Sequence, residues 1–340
     1  MWYFYKNLFI FTLISSTLLV ISTNSWVAMW IGLEINLLSF IPLIKEEKNT
    51  RTSEAAMKYF IIQAMASIII LGSLLNNIVI NSMTSNLIIN TPTLVIVLSA
   101  LITKMGAAPF HFWFPEVMEG ISWINALLLL TWQKIAPLTM ILYLKLNNWL
   151  MVFLVFCVVT GSLVGLNQTS LRKILAYSSI NHMGWMLGAL MFTKSIWMIY
   201  LIIYCLMNTM MVLEFKKFNL NHLEQLFMSS MNNPLSKSVF ILNFFSLGGI
   251  PPFIGFLPKW LTIQILVEHQ LLIPSVLMII VTLVTLFYYL RITLIPLTLK
   301  VKSSSLVIKS AQKNSNKYLM MTNTAVIMSL VLSPLILNWI

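Results

Sequence analysis

The chain has 340 residues, of which 59% are hydrophobic and 9% charged, with a mean hydropathy of +0.89. A soluble domain carries roughly a quarter charged residues, so this composition excludes a soluble globular protein and specifies a polytopic membrane protein. The formal net charge of +12 is therefore read loop by loop, because basic residues collect on one membrane face, and not as a nucleic-acid-binding surface.

The N-terminus enters an apolar run almost at once. It has one early lysine, Lys6, and no Arg-rich presequence or small-residue cleavage site, so no leader is expected to be removed. At about 20 residues per crossing, eleven spans are predicted: 3–22, 25–44, 56–80, 92–112, 122–144, 149–166, 173–191, 195–213, 237–266, 272–298 and 319–338. The ninth is long because Gly248 to Pro252 is expected to interrupt it. Connections 214–236 and 299–318 are basic and polar enough to lie at the surface, and the second could hold a short interfacial helix. The fold class expected is all-α, a single transmembrane domain in which spans 1–5 (about 3–144) and 6–10 (about 149–298) form two inverted repeats with span 11 appended.

Basic residues then orient the spans. Lys6, Lys45, Lys48, Arg51, Lys58, Arg172, Lys173, Lys216, Lys217, Lys237 and the lysines at 300, 302, 309, 313 and 317 fall on the N-terminal face, against Lys145 and Lys194 opposite. The bias places the N-terminus in the cytoplasm or matrix and the C-terminus across the membrane. Arg291, late in span ten, is near enough to the basic side to snorkel.

Span four carries the first anomaly. Lys104 stands near the centre of TPTLVIVLSALITKMGAAPFHFWFPEVMEG, followed by Gly106, Ala107, Ala108 and Pro109, which end a helix and free backbone carbonyls. The pattern G-x-x-P-F-x-x-x-x-P occurs as GAAPFHFWFP at 106–115 and again as GIPPFIGFLP at 249–258, each beside a lysine, Lys104 or Lys259. Two Gly/Pro-interrupted apolar segments at corresponding positions in two halves point to a site formed between repeats.

Four charges lie at membrane depth: Glu34, Lys104, Lys134 and Lys259. Glu34 is about ten residues into its span, roughly 15 Å, hence mid-bilayer. Intramembrane ionisable residues are costly and mark transport or proton paths. One carboxylate among three lysines suggests coupled titration, since desolvation disfavours an ammonium and a nearby carboxylate favours it. The competing reading is a structural ion pair for Glu34 and a snorkelling side chain for Lys259. His111 and His182 are weaker candidates. His182, near Ser178, Ser179 and Asn181, fits a proton relay and a hydrogen-bonded packing histidine equally. Tyr59 reads as an interfacial aromatic anchor, and Glu116 and Glu119 as the exit of span four. Cys157 and Cys205 sit in apolar runs as small hydrophobes. No G-x-G-x-x-G, Walker A loop, cysteine cluster or helical histidine pair is present to hold a redox cofactor.

The segments WIGLEINLLSFIPLI, SEAAMKYFIIQAMAS, KMGAAPFHFWFPEV, LLLLTWQKIAPL, LRKILAYSSINHMGWM and GGIPPFIGFLPKW, in this order, resemble the second-subunit family of mitochondrial NADH:ubiquinone oxidoreductase, respiratory complex I. This is an antiporter-like membrane-arm family, here in its shortened animal form. The resemblance covers nearly the whole chain, and the abundance of methionine and tryptophan suits translation from a mitochondrial genome. It implies a proton-translocating subunit of the mitochondrial inner membrane with its N-terminus in the matrix and its C-terminus in the intermembrane space. The same resemblance places the essential glutamate at Glu34, the broken-helix lysines at Lys104 and Lys259, the central lysine at Lys134 and the connecting histidine at His182, with His111 and Glu116 as possible accessories. Its partners would be other membrane-arm subunits, including antiporter-like ones, and lipids. No cofactor is expected in this chain, since NADH, FMN, iron–sulfur clusters and ubiquinone would be held by other subunits. Two alternatives stand beside it: a cation/proton antiporter subunit and a scaffold without its own proton path.

Overall fold

A computed structural model describes residues 2–45, 49–84, 91–144, 147–228, 234–251 and 253–298. Their regular structure is helical, apart from one isolated antiparallel bridge between Ser170 and His222. The chain divides into two compact units, Met1–Cys157 and Val158–Ile340. The predicted eleventh span, 319–338, and the 299–318 connection lie outside the described residues.

In the first unit, α1 (Trp2–Ser22) and α2 (Trp26–Ile44) pack together and α3 (Thr50–Thr84) packs on α2. The reason α3 sits as it does is visible in its periodicity. Tyr59, Gln63, Ser67, Ile70 and Ser73 recur every three or four residues and are buried, while Met57, Phe60, Ile61, Met65 and Ile68 face outward. This is the reverse of a soluble helix: the polar stripe is inside, and the outward apolar stripe suits hydrocarbon. Next come α4 (Thr91–Met105) and the short α5 (Trp113–Gly120), separated by the Gly/Pro break.

The fifth predicted span is itself divided, into α6 (Trp123–Leu130) and α7 (Trp132–Ile141), an interruption that the hydropathy pattern does not reveal. The division falls at Thr131, which takes φ −112° and ψ −69°, while Pro137, farther along inside α7, leaves the carbonyl of Gln133 without its helical N–H partner. The helix α8 (Asn147–Leu163) runs into a 3₁₀ turn at Val164–Asn167 and carries the boundary between the units.

In the second unit, α9 (Leu171–Leu190) is buried along almost its whole length and forms the core. Around it come α10 (Lys194–Phe218), the short α11 (Leu223–Met228), α12 (Pro234–Gly248), α13 (Phe256–Glu268) and α14 (Leu272–Thr298). Arg291 of α14 is exposed, and its guanidinium donates to the carbonyl of Leu166 at 2.9 Å.

Among the described residues, seven helical segments are long and apolar enough to cross a membrane. Three of the remaining predicted spans have identifiable reasons to fall outside that set. Spans four and nine are broken into shorter helices, and α9 carries Arg172, Lys173, Ser178, Ser179, Asn181 and His182 in its twenty residues.

The two breaks have the same local geometry. Gly106 and Gly249 take φ values of 69° and 75°, the left-handed region that a Cβ disfavours. Gly106 N–H donates to Thr103 O and Ala107 N–H to Ile102 O; Gly249 N–H donates to Ser246 O and Ile250 N–H to Phe245 O. Each pair of bonds closes a helix by the Schellman pattern, with glycine immediately after the cap.

Candidate functional site

In the first unit, Lys104 belongs to the last turn of α4, where the helix dipole favours a cation, and it is only 7% exposed. Its own carbonyl, freed by the break, accepts a hydrogen bond from Gln63 Nε2 at 3.0 Å, and Thr103 O accepts one from Trp113 Nε1 at 3.1 Å. Neutral donors thus close the end of α4 and leave the Lys104 ammonium unspent on capping. Lys134, in the first turn of α7, is 2% exposed, with Nζ 5.3 Å from the centre of the Phe114 ring, a cation–π distance.

Glu34 lies on α2 with Oε1 buried and without a hydrogen-bond partner among the described residues. No direct ion pair joins its carboxylate to Lys104 among the described residues. Two small cavities lie beside Lys104, each of about 10 Å³, at the lower limit for one ordered water, and Glu34 lines neither. Lys104, Tyr59 and Gln133 line both, Lys134 lines one, and Asn36 and Gln63 line the other.

The aromatic-belt expectation for Tyr59 is overturned. Tyr59 is 3% exposed, its ring meets those of Phe40 and Trp113, and its hydroxyl donates to Gln133 Oε1 at 3.5 Å. The inward stripe of α3 carries it into the core, and only the polar periodicity of that helix could have signalled this. Asn36, Gln63 and Gln133 were not singled out in the sequence either, because neutral amides in apolar runs carry no charge anomaly. Gln133 Nε2 donates to Asn36 Oδ1 at 3.0 Å.

His111 is buried within the break, its Nδ1 3.2 Å from Pro109 O and its ring stacked on Phe112. Glu116 is half exposed and pairs with Lys58 at 2.7 Å, joining α5 to α3. Neither lines the two cavities around Lys104.

In the second unit, Lys259 is 6% exposed, so the snorkelling alternative does not hold for it. Its Nζ donates to Gly248 O at 2.8 Å and lies 3.4 Å from Leu247 O, closing the end of α12 with an ammonium where α4 uses Gln63 and Trp113. The same Nζ lies 6.0 Å from the centre of the Trp185 ring. One turn back along α9, His182 is 2% exposed, with Nδ1 2.8 Å from the Tyr200 hydroxyl and its ring 5.3 Å from that of Tyr204. The structure therefore holds Glu34, Lys104 and Lys134 in one unit and His182 and Lys259 in the other, where Lys259 lies near Trp185 and His182 stands one turn before Trp185 on α9. Tyr200 and Tyr204 were missed in the sequence, where a tyrosine within an apolar run looks like core.

Against known proteins, residues 23–287 match the family described as NADH:quinone oxidoreductase/Mrp antiporter, transmembrane. A protein named NADH-ubiquinone oxidoreductase chain 2 from Aedes aegypti is 51% identical over 333 residues, 97% of each chain. Its namesake from Anopheles gambiae is 47% identical over 310 residues, 91% of each. A chain of the solved respiratory complex I from Thermus thermophilus with bound aureothin superposes with a TM-score of 0.84 at 25% identity, covering 98% of this chain and 80% of that one. A match over most of the described helices, together with relatives near half identity over nearly their full length, makes the chain a member of the NADH:quinone oxidoreductase/Mrp antiporter transmembrane family.

Proposed function

We propose that this chain is a proton-translocating membrane-arm subunit of mitochondrial NADH–ubiquinone oxidoreductase. It couples quinone reduction elsewhere in the complex to proton movement through buried charges. The observation that carries the reading is the burial of three lysines, Lys104, Lys134 and Lys259, at 7%, 2% and 6% exposure in a chain of this family. A charge at membrane depth is costly, and a chain that retains three has a use for them.

The proton path comprises Glu34, Lys104, Lys134, His182 and Lys259. A change in hydration or in the Glu34–Lys104 interaction shifts the balance between charged and neutral lysine, and protons pass along Lys104, Lys134, His182 and Lys259. His111 and Glu116 are accessories at most, held respectively in the break and in an exposed ion pair. NADH, FMN, iron–sulfur clusters and ubiquinone belong to other subunits of the complex, and the neighbours of this chain are other membrane-arm subunits and lipid.

The finer architecture belongs to the same proposal: one antiporter-like domain in which about 3–144 and about 149–298 are inverted repeats. The shared Schellman closure at Gly106 and Gly249 supports that relation. Eleven spans, the last at 319–338, would put the N-terminus in the matrix and the C-terminus in the intermembrane space.

The test is Lys134→Ala in inner-membrane vesicles, with the complex first shown on a native gel to assemble at normal abundance. Protons pumped per electron are measured together with NADH oxidation, and loss of both rates is expected. An unchanged ratio and rate would sink the path. Sodium flux by the reconstituted chain without electron transfer would favour the antiporter alternative, and normal pumping in Glu34→Gln would favour the scaffold.

A further inference from the structure

The path just proposed leaves a physical gap between its first two lysines. Lys104 and Lys134 line one cavity of about 10 Å³. A proton crosses such a gap only if a water is held with donors and acceptors correctly aimed. A buried water needs two to four polar partners. Besides the two amino groups, the polar side chains lining this space are those of Tyr59, Gln133 and Trp113, and the indole N–H of Trp113 is already given to Thr103 O.

Those two are not independent. Asn36 Oδ1 accepts from Gln133 Nε2 at 3.0 Å, which fixes the orientation of the amide and turns Oε1 toward Tyr59. Gln133 Oε1 then accepts the Tyr59 hydroxyl proton at 3.5 Å. A phenol has one proton to donate, so this bond leaves the oxygen lone pairs available to accept from water. The ring cannot swing away, because Phe40 and Trp113 hold it edge-on at centroid distances of 5.2 and 5.8 Å. The kink before α7 brings Gln133 to the cavity beside Lys134, while the inward stripe of α3 supplies Tyr59.

We infer that Tyr59 and Gln133, fixed by Asn36, are positioning residues that hold the water bridging Lys104 and Lys134. In the step, the Lys104 ammonium gives one proton to that water and the water gives another to the neutral Lys134 amine. Lys104 ends neutral, Lys134 ends charged, the water is unchanged, and Tyr59 keeps its own proton. The inference rests on the proton path proposed above.

Inner-membrane vesicles carrying assembled complex are compared for wild type, Tyr59→Phe, Gln133→Leu, the double variant and Lys134→Ala. Proton pumping and its solvent isotope effect are measured per assembled complex. Tyr59→Phe keeps the ring packing and removes only the hydroxyl. Each single change is expected to slow pumping at least about tenfold, within the roughly hundredfold that a misplaced reacting group can cost, and to enlarge the isotope effect. The double variant should be no slower than the slower single variant, since both changes release one water. The water bridge is overturned if Tyr59→Phe pumps at the wild-type rate with an unchanged isotope effect, or if the double variant shows the product of the single losses. Loss of pumping in Lys134→Ala alongside a normal Tyr59→Phe defeats the bridge and leaves the path standing, whereas normal pumping in both defeats the path itself.

Discussion

At the scale of single residues, Lys134 separates two physical roles that deletion alone confounds. Its Nζ sits 5.3 Å from the Phe114 ring centre inside the first unit, a place where a fixed cation could serve packing or a titrating one could carry protons. Arginine keeps the charge, the cation–π contact and most of the volume, but its guanidinium does not release a proton in a protein. Lys134→Arg is therefore expected to assemble normally and to pump at least about tenfold more slowly, the lower range of what a positioned acid–base group contributes. Vesicle acidification at matched complex abundance checks this, and normal pumping in the arginine variant would assign Lys134 a structural charge. Glu34 makes the complementary point. Its buried Oε1 has no hydrogen-bond partner among the described residues, which is an expensive way to build a scaffold.

At the scale of elements, the two broken helices are alike in backbone and unlike in their caps. A Cβ on Gly106 would come within 2.8 Å of Phe114 Cβ, and one on Gly249 within 2.8 Å of Lys259 Cδ, each on a backbone already in the left-handed region. Gly106→Ala and Gly249→Ala should each cost about 1–2 kcal/mol from conformation alone, with the overlap in addition. Gly72→Ala, where a Cβ meets nothing within 4 Å, should be neutral or slightly stabilising. Thermal melting of the purified complex ranks the three. The caps themselves give a sharper test. Gln63 shows that a neutral amide can close such a helix end, by its bond to Lys104 O. Lys259→Gln can keep a donor on Gly248 O and so preserve assembly, while removing the titrating group. Retained assembly with pumping reduced at least about tenfold is expected; retained pumping would make Lys259 a cap and nothing more.

At the scale of the whole molecule, the open question is which way the chain crosses the membrane, and α10 answers it with one helix. Its 25 residues extend about 38 Å, with Lys194 at the first position and Lys216 and Lys217 in the last turn. Cysteine placed at 194 should react with a membrane-impermeant maleimide added to the intermembrane-space side, and cysteine at 217 only from the matrix side. The opposite pattern would invert the proposed orientation. Unmodified Cys157 is buried and Cys205 lies within the helix, so background labelling should be low.

Much of this protein is legible in its sequence because hydrocarbon solvent acts on it position by position. Runs of apolar residues mark the helices, and each intramembrane charge stands out against them, so Glu34, Lys104, Lys134 and Lys259 could be named before any coordinates. The breaks after Lys104 and near Gly249 were equally plain, since glycine and proline act on the backbone locally. Tertiary structure alone decided the rest. Tyr59 looks like an interfacial anchor until the inward stripe of α3 buries it, and Gln133 looks incidental until the interruption before α7 and the packing of its neighbours set it against Asn36 and Tyr59. Neutral polar side chains reveal themselves only through their partners, which lie on other helices, and hydropathy sums residues along one. For the same reason the sequence found both lysines beside the repeated motif but not their difference: Lys259 Nζ closes a helix end, while a glutamine from another helix does that work beside Lys104.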